Sequence, residues 1–480
     1  MSGVERRDAV VLGGGFAGLA AALEAALQGL DVLLLERETF LGGKAGEVRD
    51  GGLRFDVGPS VVTLPDVLRA PFDAAGATFP VALRPLEPLA RYRFPSGRVL
   101  DLSSDVARTT AQLSAREARA YVTLLEEARA FYEAAAPTFV HGPPPGPLRL
   151  ARYGLRHGLR ARPWARLPDL LAHHGATGEL RDVFLRFATY FGADPFRAPA
   201  VLHNIAWVEL GLGVVAPEGG VAALVRAYAD LARRLGVEIR TGVDVVGLAA
   251  NEGGVRIDAR DADDPAGPVH VVQARRAVST LDRGRTLRLL GRRAPAVPPS
   301  LSGMVVLLDV GRRDADAPLH TLSMPARYER EFEAIAAGRT PDDPTLYVAV
   351  SARGTPSDAP DGRENWYVMA NAPALAGGVR VDEAAYADRI ERLLVARGLL
   401  APGDARRVAT RGPRDLARLA THGAIYGAAP HSLLATIRPS HRVRGAPALR
   451  LAGGTVHPGG GIPLAVTSGR GAVRDLLGGL

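Results

Sequence analysis

Near its start, the chain passes from a short apolar run at residues 10–12 into a glycine-rich turn that few folds contain. Gly13, Gly15 and Gly18 stand in G-x-G-x-x-G spacing, and the Ala- and Leu-rich segment 19–30 follows them. In this pattern the first glycine permits a tight turn, the second lets a pyrophosphate approach the backbone, and the third lets a helix pack closely against a strand. The free N–H groups at the start of that helix also favour an anion. The pattern therefore predicts a strand, a turn and a helix that bind a dinucleotide.

An acidic residue narrows the choice of ligand. Glu36 follows the apolar run 32–35, which is typical of a second strand. Its carboxylate can accept hydrogen bonds from a ribose diol and would repel a 2′-phosphate. The alternative is a plain glycine turn without a ligand, and it is disfavoured because the strand, the helix and the acid all stand where the motif requires them. The ligand is thereby limited to NAD or FAD.

The composition excludes several kinds of site. The chain has no cysteine, which rules out disulfides, thiolate catalysis and cysteine-bound metals. Its eleven histidines show no metal-ligand spacing, and we predict no metal site. The net charge is +8, and the 59 basic residues include a single lysine. No arginine–aromatic pattern for stacking bases is present, so we predict no nucleic-acid partner, whereas the positive charge suits an anionic membrane surface.

Two loops after the first strands are candidates for further contacts with the ligand. Lys44, the single lysine, lies in the glycine-rich loop 42–46 and could neutralise a phosphate; the alternative is a solvent-facing lysine. Gly58, Pro59 and Ser60 form a turn with a rigid φ at the proline, which can present backbone to a flat ring.

A second glycine-rich turn stands at the other end of the chain. A strand at 449–454 leads through the turn 455–463 into a helix predicted over 464–477. A helix N-terminus after such a turn suits an anionic or electron-rich ligand edge, and a purely structural turn is the alternative. Two such sites favour a ligand with two parts, which selects FAD over NAD.

The elements between the two turns indicate insertions into the nucleotide-binding fold. A first insertion runs over about 70–205 and contains a predicted hairpin at 91–102. A helix at 221–235 and strands at 237–246, 254–258, 269–274 and 277–280 then resume the fold. A second insertion, with strands at 304–310, 345–350 and 366–370, occupies 290–435.

A basic stretch at 148–171 has two interpretations that the sequence leaves open. It carries arginines at helical spacing and apolar residues available for another face: Arg149, Arg152, Arg156 and Arg160 on the first, and Leu155, Leu159 and Trp164 on the second. It is either a helix on a membrane surface or an ordinary solvated basic face.

No apolar run is long enough to span a membrane. The start of the chain resembles a signal peptide only superficially, because cleavage would destroy the glycine turn. We expect a cytoplasmic protein that associates peripherally with the membrane.

Several motifs together resemble one enzyme family, the FAD-dependent carotenoid desaturases, which are the phytoene desaturase family within the amine-oxidase-like flavoproteins. The motifs that many flavin oxidoreductases share are residues 10–18, 42–44, 55–60 and 217–220. Those that point to the carotenoid branch are residues 343–348, 423–427, 432–439 and 457–463. One departure is His441, which stands where the family often has Asn.

The resemblance implies an α/β fold: a Rossmann-like FAD-binding domain of the glutathione-reductase or amine-oxidase type with an inserted α+β domain. Residues 1–70, 205–290 and 436–480 would form the FAD-binding domain, and residues 71–204 and 291–435 a substrate-binding, membrane-facing domain. The residues predicted to bind FAD are Gly13, Gly15, Phe16, Ala17, Gly18, Glu36, Arg37, Gly43, Lys44, Ala45, Gly58, Pro59, Ser60, Val245, Gly454 and Ile462, with Val245 acting through its backbone on the adenine side.

The resemblance also implies the reaction. A polyene would lie in a hydrophobic tunnel, a hydride would pass to flavin N5, a proton would leave the neighbouring carbon, and oxygen or a quinone would reoxidise the flavin. The form of residues 453–463 is most similar to desaturases that introduce the 3,4 double bond of 1-hydroxycarotenoids. His457 is a catalytic candidate by position alone, with a structural turn histidine as the alternative; Glu209 is equally explained by capping or packing.

Four other functions remain open at this point. Two lie within the family, a phytoene desaturase and a carotenoid oxidase. The other two share only the fold: a soluble flavin amine oxidase, and a flavin-free binding protein that carries lipidated GTPases.

Overall fold

The computed structural model describes residues 4–158, 162, 164–311 and 317–478. Its strands, in chain order, are β1 (Glu5–Leu12), β2 (Val32–Leu35), β3 (Glu47–Asp50), β4 (Leu53–Asp56), β5 (Leu83–Pro85), β6 (Ala90–Arg93), β7 (Val99–Leu102), β8 (Val215–Pro217), β9 (Glu238–Arg240), β10 (Val243–Asn251), β11 (Gly254–Asp261), β12 (His270–Ser279), β13 (Ser302–Val310), β14 (His320–Ser323), β15 (Leu346–Val350), β16 (Glu364–Ala372), β17 (Ala405–Arg411) and β18 (Leu449–Leu451).

The helices of the same ranges are α1 (Phe16–Leu27), α2 (Pro65–Ala74), α3 (Val106–Thr110), α4 (Ala115–Phe139), α5 (Pro147–His157), α6 (Leu167–His173), α7 (Gly178–Arg186), α8 (Asn204–Leu210), α9 (Gly220–Arg234), α10 (Arg283–Leu289), α11 (Tyr328–Ala336), α12 (Glu383–Ala396), α13 (Pro413–Leu419), α14 (Leu433–Thr436) and α15 (Ile462–Leu476). None of these helices combines the length and the apolarity needed to cross a bilayer.

The first sheet brings the two ends of the chain together. Strand β1 pairs in parallel with β12, and β18 pairs in parallel with the end of β12 on its other side. Strands β2 and β9 extend the sheet beyond β1, and β10 and β11 extend it as an antiparallel hairpin beside the start of β12. Because β1 and β18 run in the same direction and each leads into a glycine turn and a helix, α1 and α15 begin at the same edge of the sheet. A ligand binds at such an edge in open α/β sheets.

Close packing holds α1 and α15 beside each other. A Cβ on Gly469 would lie 2.1 Å from the carbonyl oxygen of Ala17, so only glycine allows the two backbones to approach this closely. Further along the contact, buried Glu24 accepts hydrogen bonds of 2.7 Å from both Arg470 and Arg474. These contacts set the position of one helix N-terminus relative to the other.

The second sheet comes from the two segments that the sequence analysis treats as insertions. Its order is β17-β13-β16-β15-β14-β6-β7, antiparallel except for the parallel pair β14 and β6. Every residue of β13 and β15 is buried, and α4 and the helices of residues 167–210 share the same hydrophobic core. This sheet forms one wall of the cavity described below.

The predicted strands form, but at two places their number differs from the prediction. The hairpin at 91–102 forms as β6 and β7. The strand predicted at 237–246 is two strands, β9 and β10, because the chain turns at Gly242 with φ 72°. The strands predicted at 269–274 and 277–280 are one, β12, because β1 pairs with it from Val272 to Ser279. On its other side, β12 pairs first with β11 and then with β18. The domain boundaries themselves stay a prediction.

Replacing Glu24 tests the contact between α1 and α15. We expect Glu24→Gln to lower the free energy of unfolding by roughly 3 kcal/mol, the low end for breaking a buried ion pair, because Arg474 stays partly exposed. Burial raises the pKa of Glu24, but Arg474 and Arg470 outweigh it and hold the pKa below the usual 4.5. The ion pairs of Glu24 therefore stabilise the folded protein fully above about pH 4.5. This stabilisation is lost as the pH falls through the lower pKa that Glu24 has in the folded state.

Denaturant unfolding of the flavin-loaded protein at pH 7 and at pH 4 measures this difference. Glu218→Gln, which removes an exposed carboxylate paired with Arg84, is the matched control and should cost less than about 1 kcal/mol. If the two substitutions lower the free energy of unfolding equally at pH 7, the buried ion pairs of Glu24 do not stabilise the contact between α1 and α15.

Candidate functional site

A single cavity of about 870 Å³ joins both glycine turns to a chamber against the second sheet. Its wall contains fifteen of the sixteen residues that the sequence analysis assigns to the cofactor: Gly13, Gly15, Phe16, Ala17, Glu36, Arg37, Gly43, Lys44, Ala45, Gly58, Pro59, Ser60, Val245, Gly454 and Ile462. Residues that stand up to 449 positions apart in the sequence thus surround one space.

The sixteenth residue, Gly18, acts through packing. A Cβ at this position would lie 1.8 Å from the carbonyl oxygen of Gly13, so α1 could not rest on its own turn with any larger residue. Gly13 has φ 98°, a conformation that favours glycine. The nearest neighbour of a Cβ on Gly15 is 3.7 Å away, which leaves that side of the backbone open to a ligand.

The carboxylate of Glu36 is held in place by the backbone. Its Oε2 accepts a hydrogen bond of 2.6 Å from the N–H of Gly14, and its Oε1 accepts one of 2.9 Å from the N–H of Glu38. The residue is buried apart from its contribution to the cavity wall. Since a carboxylate oxygen can accept more than one hydrogen bond, Glu36 retains capacity for ribose hydroxyls.

The motifs at 55–60 and 217–220 position each other. Asp56 accepts hydrogen bonds of 3.0 and 3.2 Å from the N–H groups of Val221 and Ala222, and so caps α9 from a distant part of the chain. Gly220 has φ 71°, and a Cβ there would lie 2.2 Å from the guanidinium of Arg54. These contacts direct the chain after β4 toward the cavity, where Pro59 and Ser60 line the wall.

Lys44 lies on the cavity wall rather than in bulk solvent. Its amine donates a hydrogen bond to the carbonyl of Ile425 and stands 5.9 Å from the ring centre of Tyr426. Burial lowers the pKa of Lys44, and Asp282 opposes that effect. The loop 42–46 also packs against the turn at 58, because a Cβ on Gly58 would lie 1.9 Å from the carbonyl oxygen of Lys44.

The C-terminal turn is shaped by an aromatic ring from the motif at 423–427. A Cβ on Gly460 would lie 2.0 Å from the ring of Tyr426, so the turn and the ring are in direct contact. Nearby, Arg438 donates to the carbonyls of Ala428 and Phe191, and burial lowers its pKa to about 10. Its Nε has no hydrogen-bond partner among the described residues. A buried cation bonded to carbonyls in the cavity wall suits an anionic or electron-rich ligand.

These features fit FAD. Two helix N-termini face one space, the glycine turns leave backbone exposed, and Glu36 stands at the end of the second strand. Within the described ranges, no group of three or more His, Asp or Glu side chains is arranged to hold a metal ion.

His457 lies in the cavity wall, but its ring is engaged by the backbone. Its Nε2 is 2.9 Å from the carbonyl oxygen of Gly142, and because a carbonyl only accepts, Nε2 carries the proton. Its own carbonyl accepts a hydrogen bond of 2.6 Å from Ser468, and its ring packs against His441. Burial lowers the pKa of His457. The geometry favours a structural role, and a catalytic role stays a prediction.

The sequence analysis names Ser60 and Glu209 but misses three polar residues that stand close to them: Tyr347, His320 and Arg186. The hydroxyl of Tyr347 is 2.6 Å from the Ser60 hydroxyl and 2.7 Å from Nδ1 of His320. Burial lowers the pKa of His320 to about 3, so its ring is neutral. Arg186 and Glu209 stand in the same wall. No local pattern singles out Arg186, because α7 also contains Glu179, Arg181 and Asp182. Glu209, by contrast, is the single charged residue of α8.

Comparison with known proteins agrees with this geometry. Residues 16–306 match the family model of flavin containing amine oxidoreductases. A hydroxyneurosporene desaturase from Rhodobacter capsulatus is 34% identical over 98% of this chain and 97% of its own. A phytoene dehydrogenase from Streptomyces griseus is 33% identical over 98% of this chain and 95% of its own.

Among solved structures, a putrescine oxidase with bound putrescine covers 99% of this chain and 100% of its own, with a TM-score of 0.67 and 15% identity. At that identity the likeness concerns the fold alone, which is the α/β fold of FAD-binding amine oxidases, with mixed sheets. The chain belongs to the flavin containing amine oxidoreductase family and, within it, to the FAD-dependent carotenoid desaturases.

Proposed function

We propose that this enzyme introduces the 3,4 double bond into a 1-hydroxycarotenoid. The observation that carries the proposal is the continuity of the cavity, which joins the cofactor turns to a chamber whose wall is mostly apolar. Leu202, Ile205, Val305, Met369 and Ile425 contribute to that wall. The similarity to a hydroxyneurosporene desaturase supports a hydroxylated substrate. Phytoene desaturation is the second candidate, favoured by the nearly equal similarity to a phytoene dehydrogenase.

We infer that the FAD-contacting residues are those of the cavity wall named above. Glu36 would bind the ribose, the N-terminus of α1 the pyrophosphate, and the turn before α15 the flavin end. When bound, FAD supplies the acceptor for the hydride that leaves the substrate. The protein's own part is to hold the polyene in a defined position and to exclude water from the reacting carbons. The buried side chains of β13 and β16 serve both purposes.

We further propose that α5 rests on the membrane surface at the mouth of the cavity. No residue of this helix is buried. Leu148 and Leu155, seven residues apart on one face, are 88% and 91% exposed. The opposite side of the helix, with Leu150 and Tyr153, lines the cavity. Nearby, Leu434 also belongs to the cavity wall and is 79% exposed. Apolar side chains exposed around an opening suit entry of a substrate from the bilayer.

The arginines of α5 support the same proposal. Arg149, Arg152 and Arg156 are exposed and lie beside the apolar face. The helix contains no acidic residue to neutralise them. Arg160, predicted on the basic face, and Leu159, predicted on the apolar face, lie outside the described residues.

Replacing Glu36 tests the assignment of the FAD site. We expect Glu36→Leu to weaken FAD binding about ten- to hundredfold, the cost of about 1.5–3 kcal/mol for losing a charged hydrogen-bond acceptor. Flavin absorbance per protein after desalting, and titration of the stripped protein with FAD, measure the change. Glu333→Leu is the control, since this exposed carboxylate of α11 pairs with Arg330 and neither residue lines the cavity. Equal flavin retention by both variants would argue against the site.

Incubation with carotenoids tests the proposed reaction. Liposomes containing a 1-hydroxycarotenoid should yield a product with one more conjugated double bond, detected by chromatography and by a shift of absorption to longer wavelength. The hydrocarbon that lacks the hydroxyl group should react more slowly. Faster turnover of that hydrocarbon, or of phytoene, would instead favour the second candidate.

Vesicle binding tests the role of α5. Replacing Arg149, Arg152 and Arg156 together with Gln should weaken binding to anionic vesicles about a hundredfold, since each arginine near such a surface contributes about 1 kcal/mol. Flavin content should not change. The control replaces three exposed arginines of α9, Arg226, Arg233 and Arg234, by Gln. Equal sedimentation of the two triple variants with vesicles would refute the proposal.

A further inference from the structure

An ion pair stands in the wall of the otherwise apolar chamber. Arg186 is the last residue of α7 and Glu209 lies in α8. Their side chains are 5% or 6% exposed, and Nη2 of Arg186 is 3.9 Å from Oε1 of Glu209. Both line the cavity. Charged side chains are expensive to bury, so their presence on a surface that holds a polyene needs an explanation.

Arg186 and Glu209 differ in how many of their polar atoms have hydrogen-bond partners. Arg186 donates from Nε to the Tyr92 hydroxyl at 2.7 Å and from Nη2 to the Tyr190 hydroxyl. Oε2 of Glu209, by contrast, is buried and has no hydrogen-bond partner among the described residues. Burial raises the pKa of Glu209, and the charge of Arg186 and a contact with the Tyr190 hydroxyl oppose that effect. The wall therefore contains one acceptor that lacks a donor.

The missing donor defines the chemistry of a ligand. A buried acceptor without a partner costs about 1–3 kcal/mol, so such groups are rare unless a ligand or a water completes them. A hydrocarbon polyene offers no donor. An alcohol offers one, and its oxygen can in turn accept from a neighbouring group.

The ion pair lines the same cavity as the cofactor turns. The Tyr347 hydroxyl bonds to Ser60, which belongs to the turn that lines the cofactor part of the cavity. Burial raises the pKa of Tyr347, while the charge of Arg186 lowers it and that of Glu209 raises it further. In a 1-hydroxycarotenoid the hydroxyl-bearing carbon is only two carbons from the 3,4 bond. A group that binds this hydroxyl must therefore stand in the cavity that also contains the cofactor turns, and Glu209 does so.

We propose that Glu209 accepts a hydrogen bond from the 1-hydroxyl group of the substrate and thereby selects hydroxylated carotenoids over hydrocarbons. The inference rests on the proposed function. Arg186 is the positioning residue, because it holds the carboxylate at the wall and is itself held by Tyr92 and Tyr190. A site built to bond a hydroxyl rejects an analogue that lacks it, since its own polar group is then left without a partner.

Two substitutions at Glu209 separate this role from others. With a 1-hydroxycarotenoid and the matching hydrocarbon as substrates, Glu209→Leu should lower the ratio of their kcat/KM values about tenfold or more, mainly through KM for the hydroxylated substrate. Glu209→Gln retains a carbonyl acceptor and should keep most of the ratio. The control is Glu364→Gln, which alters a buried carboxylate of β16 that is bonded to Arg353 and Trp366, none of which lines the cavity. Flavin content and thermal unfolding of each variant verify folding.

Three results would overturn the inference. If both variants lose turnover of both substrates while retaining flavin, Glu209 acts as a proton acceptor instead. If the wild-type enzyme prefers the hydroxylated substrate and Glu209→Leu leaves that preference unchanged, the hydroxyl is bound elsewhere, and the proposed function stands. If the wild-type enzyme turns over only hydrocarbons, the proposed function fails and this inference fails with it.

Discussion

Helices α1 and α15 cross where Gly469, having no side chain, lets the backbone approach the carbonyl of Ala17. Both helices follow strands that flank β12 in parallel, so their N-termini open at one edge of the sheet. The cavity depends on this contact, because a wider crossing would separate the turn at 13–18 from the turn at 453–461. Glu24, shared by two arginines, adds a charged contact beside the glycine.

The geometry of the cofactor end is a set of mutual contacts among loops. Asp56 caps α9, Gly220 makes room for Arg54, and Gly58 lies against the backbone of Lys44. Each of these loops is therefore positioned by contacts with another loop. This explains why short glycine-containing motifs from separate parts of the chain occur together: a side chain at one position would displace the neighbouring loop as well as its own.

The chamber combines two opposite requirements. A polyene needs an apolar wall, and the strands of the second sheet supply it. Yet the same wall contains buried Arg186, Glu209 and Tyr347, with the half-buried Ser60 bonded to Tyr347. Burial makes each of these groups costly unless it has a partner, so an acceptor left without one, such as Oε2 of Glu209, carries information about the substrate that the apolar residues do not.

The sequence by itself determined the cofactor class and predicted fifteen residues that the structure gathers around one cavity. Glycine spacing and the acid after the second strand are local patterns, and their chemistry follows from the backbone conformation that they permit. The hairpin at 91–102 likewise follows from a local pattern, two short strands joined by a turn. Local pattern did not determine where β9 ends and β10 begins, because that depends on a turn at Gly242.

The tertiary structure decided which distant groups meet. Pairing of β18 with β12 joined the two glycine turns, and packing of α7 and α8 placed Arg186 beside Glu209 in the cavity wall. It also directed Nε2 of His457 to a backbone carbonyl, which position in the sequence could not indicate. The physical reason is that hydrogen bonds and ion pairs between residues far apart in the chain depend on the packing of whole helices and sheets, whereas turns and helix starts depend on a few adjacent residues.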